Sequence, residues 1–160
     1  MVLGASLPDV SAYGYLFQYA DKSIMTELEK NALEFSDLRA YGEAIKNVQV
    51  YGRTGFAGLD FPCPDALIAL VADFLLDIEE IDIAVVWSWR EGGAKFSVRS
   101  EDPDIDAGLL ARHGLADLGN GGGHSGMAGG FAPVPFSNKH RFESLVRDRF
   151  LGYIENTKRK

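Results

Sequence analysis

The residues best placed by type and spacing to do chemistry are one glycine-rich segment and an arginine upstream of it. Gly119, Gly121, Gly122, Gly123, Gly126, Gly129 and Gly130 crowd around a single histidine, His124. Glycine lets the backbone take positive φ and lets a ligand come close to its N–H groups. If a helix starts near His124, its unpaired N–H groups and its dipole favour an anion such as phosphate. The imidazole can then donate to a phosphate oxygen. Arg99 closes a predicted strand, and a guanidinium there can hold phosphate through two parallel hydrogen bonds. Ser97 and Ser100 can add hydroxyl contacts, though both also read as plain strand residues. The competing reading is a glycine loop with a partly buried histidine, and an arginine in a surface ion pair.

Generic motifs do not fit this segment. No Lys-Ser/Thr pair follows the glycines, so it is not a P-loop. Gly119-Asn120-Gly121-Gly122-Gly123-His124 lacks the sixth-position glycine of the dinucleotide fingerprint, and no strand leads directly into it. His113, His124 and His140 lack zinc-ligand spacing, and Cys63 lies between prolines far upstream. A lone cysteine excludes a disulfide scaffold and fits a reducing, cytoplasmic compartment.

The elements that must position these residues can be read from periodicity. Pro8-Asp9 opens a helix with Val10, Tyr13, Leu16 and Phe17 on its buried face. Asp21 caps a second, with Ile24, Met25 and Leu28 inward. Ser36-Asp37 caps a third, with Leu38, Tyr41 and Ile45 inward. Strands are predicted at 48–51 and 54–59, then an apolar helix over 66–76 behind Asp65. The near-continuous apolar run Ile83 to Trp89 reads as a buried strand. Glu91-Gly92-Gly93 is a turn, and the alternation from Lys95 to Ser100, with Phe96 and Val98 on one face, makes the second strand of a hairpin. A short helix over 105–113 follows, with Asp106 as its cap. Residues 131–136 hold two prolines and are at most an edge strand. Asn138 caps a last helix carrying Phe142, Leu145, Val146, Phe150 and Tyr153. Trp87 and Trp89 share one strand face. They suit either core packing or a stacking platform for a base.

The order is helices first, then strands and helices mixed. The fold class is therefore α/β, a small mixed β-sheet with flanking helices, preceded by a helical linker. The domains are a lead-in over 1–46 and an α/β domain over 47–160. The 160 residues suit one core of ordinary size, and 46% apolar with 24% charged composition excludes a disordered or coiled-coil chain. No apolar run is long enough for a membrane span. Met1 to Ser6 shows no basic n-region, so no signal peptide is expected.

Net charge is −7, which argues against a nucleic-acid binder held by bulk electrostatics. The distribution is uneven. Residues 139–160 carry seven Lys/Arg against three Asp/Glu, whereas 60–82 carry seven acids and no base. An anionic ligand must then bind at a local site. Arg141, Arg147 and Arg149 can steer nucleic acid or form a solvated helix face, and Lys158-Arg159-Lys160 reads as a frayed tail.

Arg99-Ser100, Ile105-Asp106, and Gly121-Gly122-Gly123-His124 with Met127-Ala128-Gly129 resemble the DHHA1 domain of the DHH phosphoesterase superfamily, of which RecJ-like and oligoribonuclease-like enzymes are members. The hallmark is a strand ending in Arg-Ser, a short helix after an aspartate, and a GGGH segment leading to Ala-Gly. Met127 departs from it, since many members carry a small residue there. The resemblance implies a substrate-binding domain contacting phosphate through Arg99, Ser100, Gly121, Gly122, Gly123 and His124, with no catalytic residue of its own. No Asp-His-His run occurs in the chain. The implied DHH catalytic domain, with the manganese it is expected to carry, lies outside it, so this chain alone is expected to be inactive. Implied partners are that DHH domain and a short oligonucleotide, a cyclic dinucleotide or a phosphonucleotide, with no membrane and with a homodimer left open. The alternatives are a stand-alone nucleic-acid-binding module without catalysis, as in the tail that the domain resembles in alanyl-tRNA synthetases, and a structural dimerisation domain.

Overall fold

A computed structural model describes residues 6–29 and 33–159. Contacts divide the chain into two units, 1–34 and 35–160. In the first unit, α1 (Leu7–Phe17) starts with a reciprocal cap. The Ser6 hydroxyl accepts from the Asp9 amide, and the Ser6 amide donates to Asp9 Oδ2 at 2.8 Å. Asp21 caps α2 (Lys22–Glu29) as expected, accepting from the Ser23 and Ile24 amides. The buried face expected of α1 is not seen. Val10, Tyr13, Leu16 and Phe17 are exposed, because no described element of this unit covers them. The side chain of Leu28 lies outside the described residues, as do Met1 to Ala5 and Lys160.

The second unit is a six-stranded mixed sheet with helices on both faces. Helix α3 (Leu38–Asn47) belongs to it, although the lead-in drawn over 1–46 includes that helix. Its Ala40 and Ala44 are fully buried against the sheet. Asp37 sits at its N-cap without a side-chain cap bond. The strands are β1 (Gln49–Tyr51), β2 (Thr54–Leu59), β3 (Ile83–Arg90), β4 (Gly93–Ser100), β5 (Asn120–Gly123) and β6 (Met127–Ala132), in the spatial order β1-β2-β3-β4-β6-β5. Among the described strands only β2 and β3 are parallel. Parallel neighbours need a crossover, and α4 (Asp65–Leu76) supplies it.

Two apolar layers sandwich the sheet. On one face Leu67, Ile68, Val71, Ala72 and Leu75 of α4 meet Ala57, Leu59, Ala84 and Val86. On the other, α5 (Ala107–Gly114) and α6 (Lys139–Lys158) lay Leu110, Phe142, Val146 and Phe150 over Val85, Trp87, Phe96 and Val98. β3 is buried on both sides, which is why it reads as an unbroken apolar run. Each such side chain contributes about 1.5–3 kcal/mol on burial. Trp87 and Trp89 belong to this core and form no stacking platform. Both indole Nε1 atoms donate to Glu143 Oε1, at 3.2 and 3.1 Å. The C-terminal tail is not frayed up to Arg159. α6 runs through Lys158, whose ammonium pairs with Asp102 at 2.6 Å.

The glycine segment departs most from its sequence reading. No helix begins at His124. Residues 120–132 form a hairpin, β5 and β6, joined by His124-Ser125-Gly126. β6 lies inside the sheet between β4 and β5, and its ladder ends at Ala132, before Pro133. The prolines thus end the strand rather than confining it to an edge.

Replacing Glu143 by Ala strands two buried indole donors, so unfolding in urea should show a loss of about 2 kcal/mol, whereas Glu143→Gln, which keeps an acceptor, should lose less than about 1 kcal/mol. Equal losses for the two variants would show that the indole bonds do not hold α6 to the sheet.

Candidate nucleotide-binding face

Strand periodicity sorts the predicted site residues. Phe96 and Val98 point into the α5–α6 core, so Lys95, Ser97 and Arg99 share the opposite face. Helix α4 lies over β3 and β4 on that face. Beyond its edge, β6 opposes Met127 to Arg99, Gly129 to Ser97 and Phe131 to Lys95, and β5 then opposes Gly122 to Gly129. The result is an open strip of sheet with Gly122 and Gly129 in its floor. Met127 is 56% exposed there, beside Arg99.

The three consecutive glycines have different reasons to be glycine. A Cβ on Gly121 would lie 2.4 Å from the Ala111 carbonyl oxygen, so its missing side chain lets β5 press against α5. A Cβ on Gly123 would lie 2.4 Å from the Met127 carbonyl oxygen, inside the hairpin. A Cβ on Gly122 would meet no described atom within 4 Å, and Gly122 faces the open strip. Packing thus accounts for Gly121 and Gly123, whereas no packing contact requires glycine at 122.

Arg99 sits at the end of this strip with its side chain 14% exposed. Its Nε donates to Asp73 Oδ1 at 2.5 Å, and its Nη1 donates to Ser97 Oγ at 3.1 Å and to the Val98 carbonyl at 3.3 Å. Asp73 comes from α4, and no signal in the sequence singles it out, since the link depends on how helix and sheet pack. Ser100 faces the other way. It is buried, and its hydroxyl donates to the Ile105 carbonyl at 2.7 Å, tying down the loop before α5. Its amide donates to the Gly126 carbonyl at 3.1 Å, which fixes the Arg-Ser end of β4 beside the hairpin turn. Arg99, Gly122 and the turn are therefore brought together, whereas Ser100 and Gly121 serve the packing behind them.

His124 is exposed in that turn. Its amide donates to the Met127 carbonyl at 2.8 Å, and its own carbonyl accepts from the Gly108 amide at 3.1 Å. The Ser125 carbonyl accepts from the Ala107 amide at 2.7 Å, and Asp106 Oδ1 takes the Leu109 amide at 2.8 Å. The first N–H groups of α5 are thus already satisfied, by the hairpin and by the predicted Asp106 cap. An anion near His124 meets the imidazole and the strand edge instead of a bare helix end.

A second ion-pair group lies at the far end of the strip. Asp65 takes Arg90 Nη1 at 2.9 Å and Lys95 Nζ at 3.1 Å. Desolvation works against the Asp65 carboxylate, but the Lys95 and Arg90 bonds outweigh it and hold its pKa below the usual range. The sequence places Lys95 only within the strand alternation, although that same period puts it in line with Arg99. On the helical side, Arg147 donates to Gln49 and Arg149 to the Ala116 carbonyl, so both are engaged within the fold.

The described residues bring together no group of three or more His, Cys, Asp or Glu that could hold a metal ion. Manganese has no cradle among them. No helix among the described residues is long and apolar enough to cross a membrane.

Comparison with known proteins agrees with this geometry. No curated protein matches the sequence. Among solved structures, an exopolyphosphatase-related protein from Bacteroides fragilis superposes with a TM-score of 0.67 at 20% identity, over 89% of this chain and 42% of its own. RecJ from Thermus thermophilus, solved with Mg2+, superposes with a TM-score of 0.52 at 22% identity, over 72% of this chain and 17% of its own. The chain thus spans less than half the length of either, and at these identities the likeness is one of fold. The DHHA1 domain family matches residues 52–150, from the β1–β2 turn into α6. That match takes in the whole open strip and the hairpin beside it, and on this ground the chain belongs to the DHHA1 domain family of the DHH superfamily.

Proposed function

We propose that this chain binds the phosphate end of a nucleotide-type substrate as the DHHA1 part of a DHH-type phosphoesterase. Bond breaking, and the manganese that serves it, would belong to a DHH domain outside these 160 residues. The observation that carries the reading is the convergence of Arg99, the bare Gly122 and the His124 turn at one end of an open sheet face. Three kinds of contact meet there: a guanidinium, an imidazole and the bare backbone at Gly122, with the exposed Met127 between Arg99 and the turn. Together they suit a compact anion with a flat group beside it. The names of the solved relatives, an exopolyphosphatase-related protein and RecJ, support a phosphate-bearing ligand in general.

In this role the chain holds and orients. Arg99 leaves its carboxylate partner Asp73, which is 53% exposed and can turn to water, and takes a phosphate oxygen in its place. His124 approaches from the turn. The scissile bond is thereby placed for a catalytic domain across a cleft, and the contribution to rate is positioning and charge stabilisation.

Titration with the 5′-phosphorylated deoxyadenylate dinucleotide pdApdA tests the reading. His124→Ala and Arg99→Gln should each weaken binding about tenfold, ~1.4 kcal/mol. Unchanged affinity in both variants would remove the site. Gly122→Val should keep the melting temperature within about 2 °C, since it meets no described neighbour, and should also weaken pdApdA binding. Gly121→Ala should instead lower the melting temperature, because its Cβ collides with the Ala111 carbonyl. In a manganese-supplemented assay this chain alone should hydrolyse no pdApdA. Turnover that survives purification and is lost in Arg99→Gln would place catalysis within the chain.

A further inference from the structure

We propose that a cavity between the last turn of α3 and the first half of α6 binds a free dicarboxylic amino acid. The cavity measures about 510 Å³, within the range of small-molecule pockets. It opens at the β1–β2 edge on the α6 side of the sheet, whereas the Arg99 strip lies on the α4 side toward the other edge. The two sites are therefore independent. One wall of the cavity, from Glu43 to Gln49, precedes residue 52, where the family match begins. The cavity is thus not a feature of the matched domain alone.

Two ion pairs that helix spacing favours are not made around this cavity. Glu143 stands four residues ahead of Arg147 on α6, the order and spacing at which a carboxylate and a guanidinium meet on a helix. Glu143 is instead turned into the sheet, where its Oε1 accepts from Trp87 Nε1 at 3.2 Å and Trp89 Nε1 at 3.1 Å. Arg147 is turned the other way. Its Nη1 donates to Gln49 Oε1 at 2.6 Å, and its guanidinium carbon lies 5.4 Å from the Tyr51 ring centroid. On α3, Glu43 stands three residues ahead of Lys46, but its Oε1 accepts from Asn47 Nδ2 at 2.8 Å. Among the described residues none of Glu43, Lys46, Glu143 and Arg147 has an ion-pair partner. One hollow thus holds a half-buried carboxylate met only by neutral donors and two cations without an anion. Uncompensated charges of both signs in one place match a ligand that itself carries both signs.

An acidic α-amino acid supplies each missing partner. Its ammonium meets Glu143, whose Oε2 is left over once Oε1 holds the two indoles. Its α-carboxylate takes the guanidinium of Arg147, a planar fork with donors to spare. A second carboxylate on a short chain meets Lys46 from the facing wall. Lys139 is committed to Asp60 and closes the neighbouring end. The floor is formed where a Cβ on Gly58 would lie 2.9 Å from Trp87 Nε1, so the indole rests on bare backbone and gives the ligand's methylenes an apolar edge. A peptide end carries only one of the two α-charges, and a simple dicarboxylate lacks the ammonium. Neither meets all three groups.

Calorimetric titration of the full chain compares L-glutamate with glutarate, which lacks the ammonium, and with L-glutamine, which lacks the second carboxylate. Glutamate should bind about tenfold more tightly than glutarate and about fivefold more tightly than glutamine. Glu143→Gln keeps an acceptor for the indoles and should weaken glutamate about tenfold without weakening glutarate. Lys46→Gln should weaken glutamate about fivefold and leave glutamine unchanged. Circular dichroism at the titration temperature checks that both variants are folded. Glutarate binding as tightly as glutamate overturns the proposal. So does a loss of glutarate affinity in Glu143→Gln equal to that of glutamate. No heat and no rise in melting temperature with glutamate at about 10 mM overturns it as well.

Discussion

A strand pair in which half the residues are glycine is held to the sheet through its backbone, and the remainder of the candidate site depends on that close approach. β5 and β6 contribute glycine at 121, 122, 123, 129 and 130. The Gly123 carbonyl oxygen comes so close to α5 that a Cβ on Gly108 would lie 2.6 Å from it. The carbonyls of His124 and Ser125 then take the first amides of α5. Each such bond is worth about 1 kcal/mol net, and leaving those amides buried without partners would cost more. The same contact anchors the hairpin from behind and leaves its front bare at Gly122 and Gly129, between the side chains of Met127 and Phe131.

The front of the strand pair is left open because α4 stops short of it. The helix covers β3 and β4, and its acidic residues reach the cations at its margin. An acid-rich chain can therefore present a cationic row without a basic surface. Arg99 and Lys95 are each held by an exposed carboxylate, which keeps them extended and oriented in the absence of ligand. Their attraction for an anion acts over the short range of direct contact, since exposed charges are screened beyond about 10 Å. Net charge of the opposite sign is compatible with the anion site proposed, since such contacts act only at short range.

Most elements are legible in the sequence because each rests on local signals. The continuous apolar run at 83–89 suits a strand covered on both faces, and α4 and β4 announce themselves by period. Asp106 is legible as a cap, and it is one. The glycine segment reads wrongly as a helix start because glycine carries no periodic signal. The strand state of 120–123 comes from pairing with β6, a contact set by the register Ser97 to Gly129 to Gly122. The exposed face of α1 shows the converse, that an amphipathic pattern requires a partner and does not create one.

By itself the sequence determined the α/β order of elements, the hairpin of β3 and β4, and the pairing of Arg-Ser with a GGGH segment that marks the family. Those features are written in residue type and short spacing, which act on the chain locally. Only the tertiary structure decided that Arg99 faces the open strip while Ser100 faces the core, that Gly122 is the floor while Gly121 is packing, and that Lys95 lies in line with Arg99 under the carboxylates of α4. Successive strand residues point to opposite sides, and which side is covered depends on where a helix distant in sequence comes to rest.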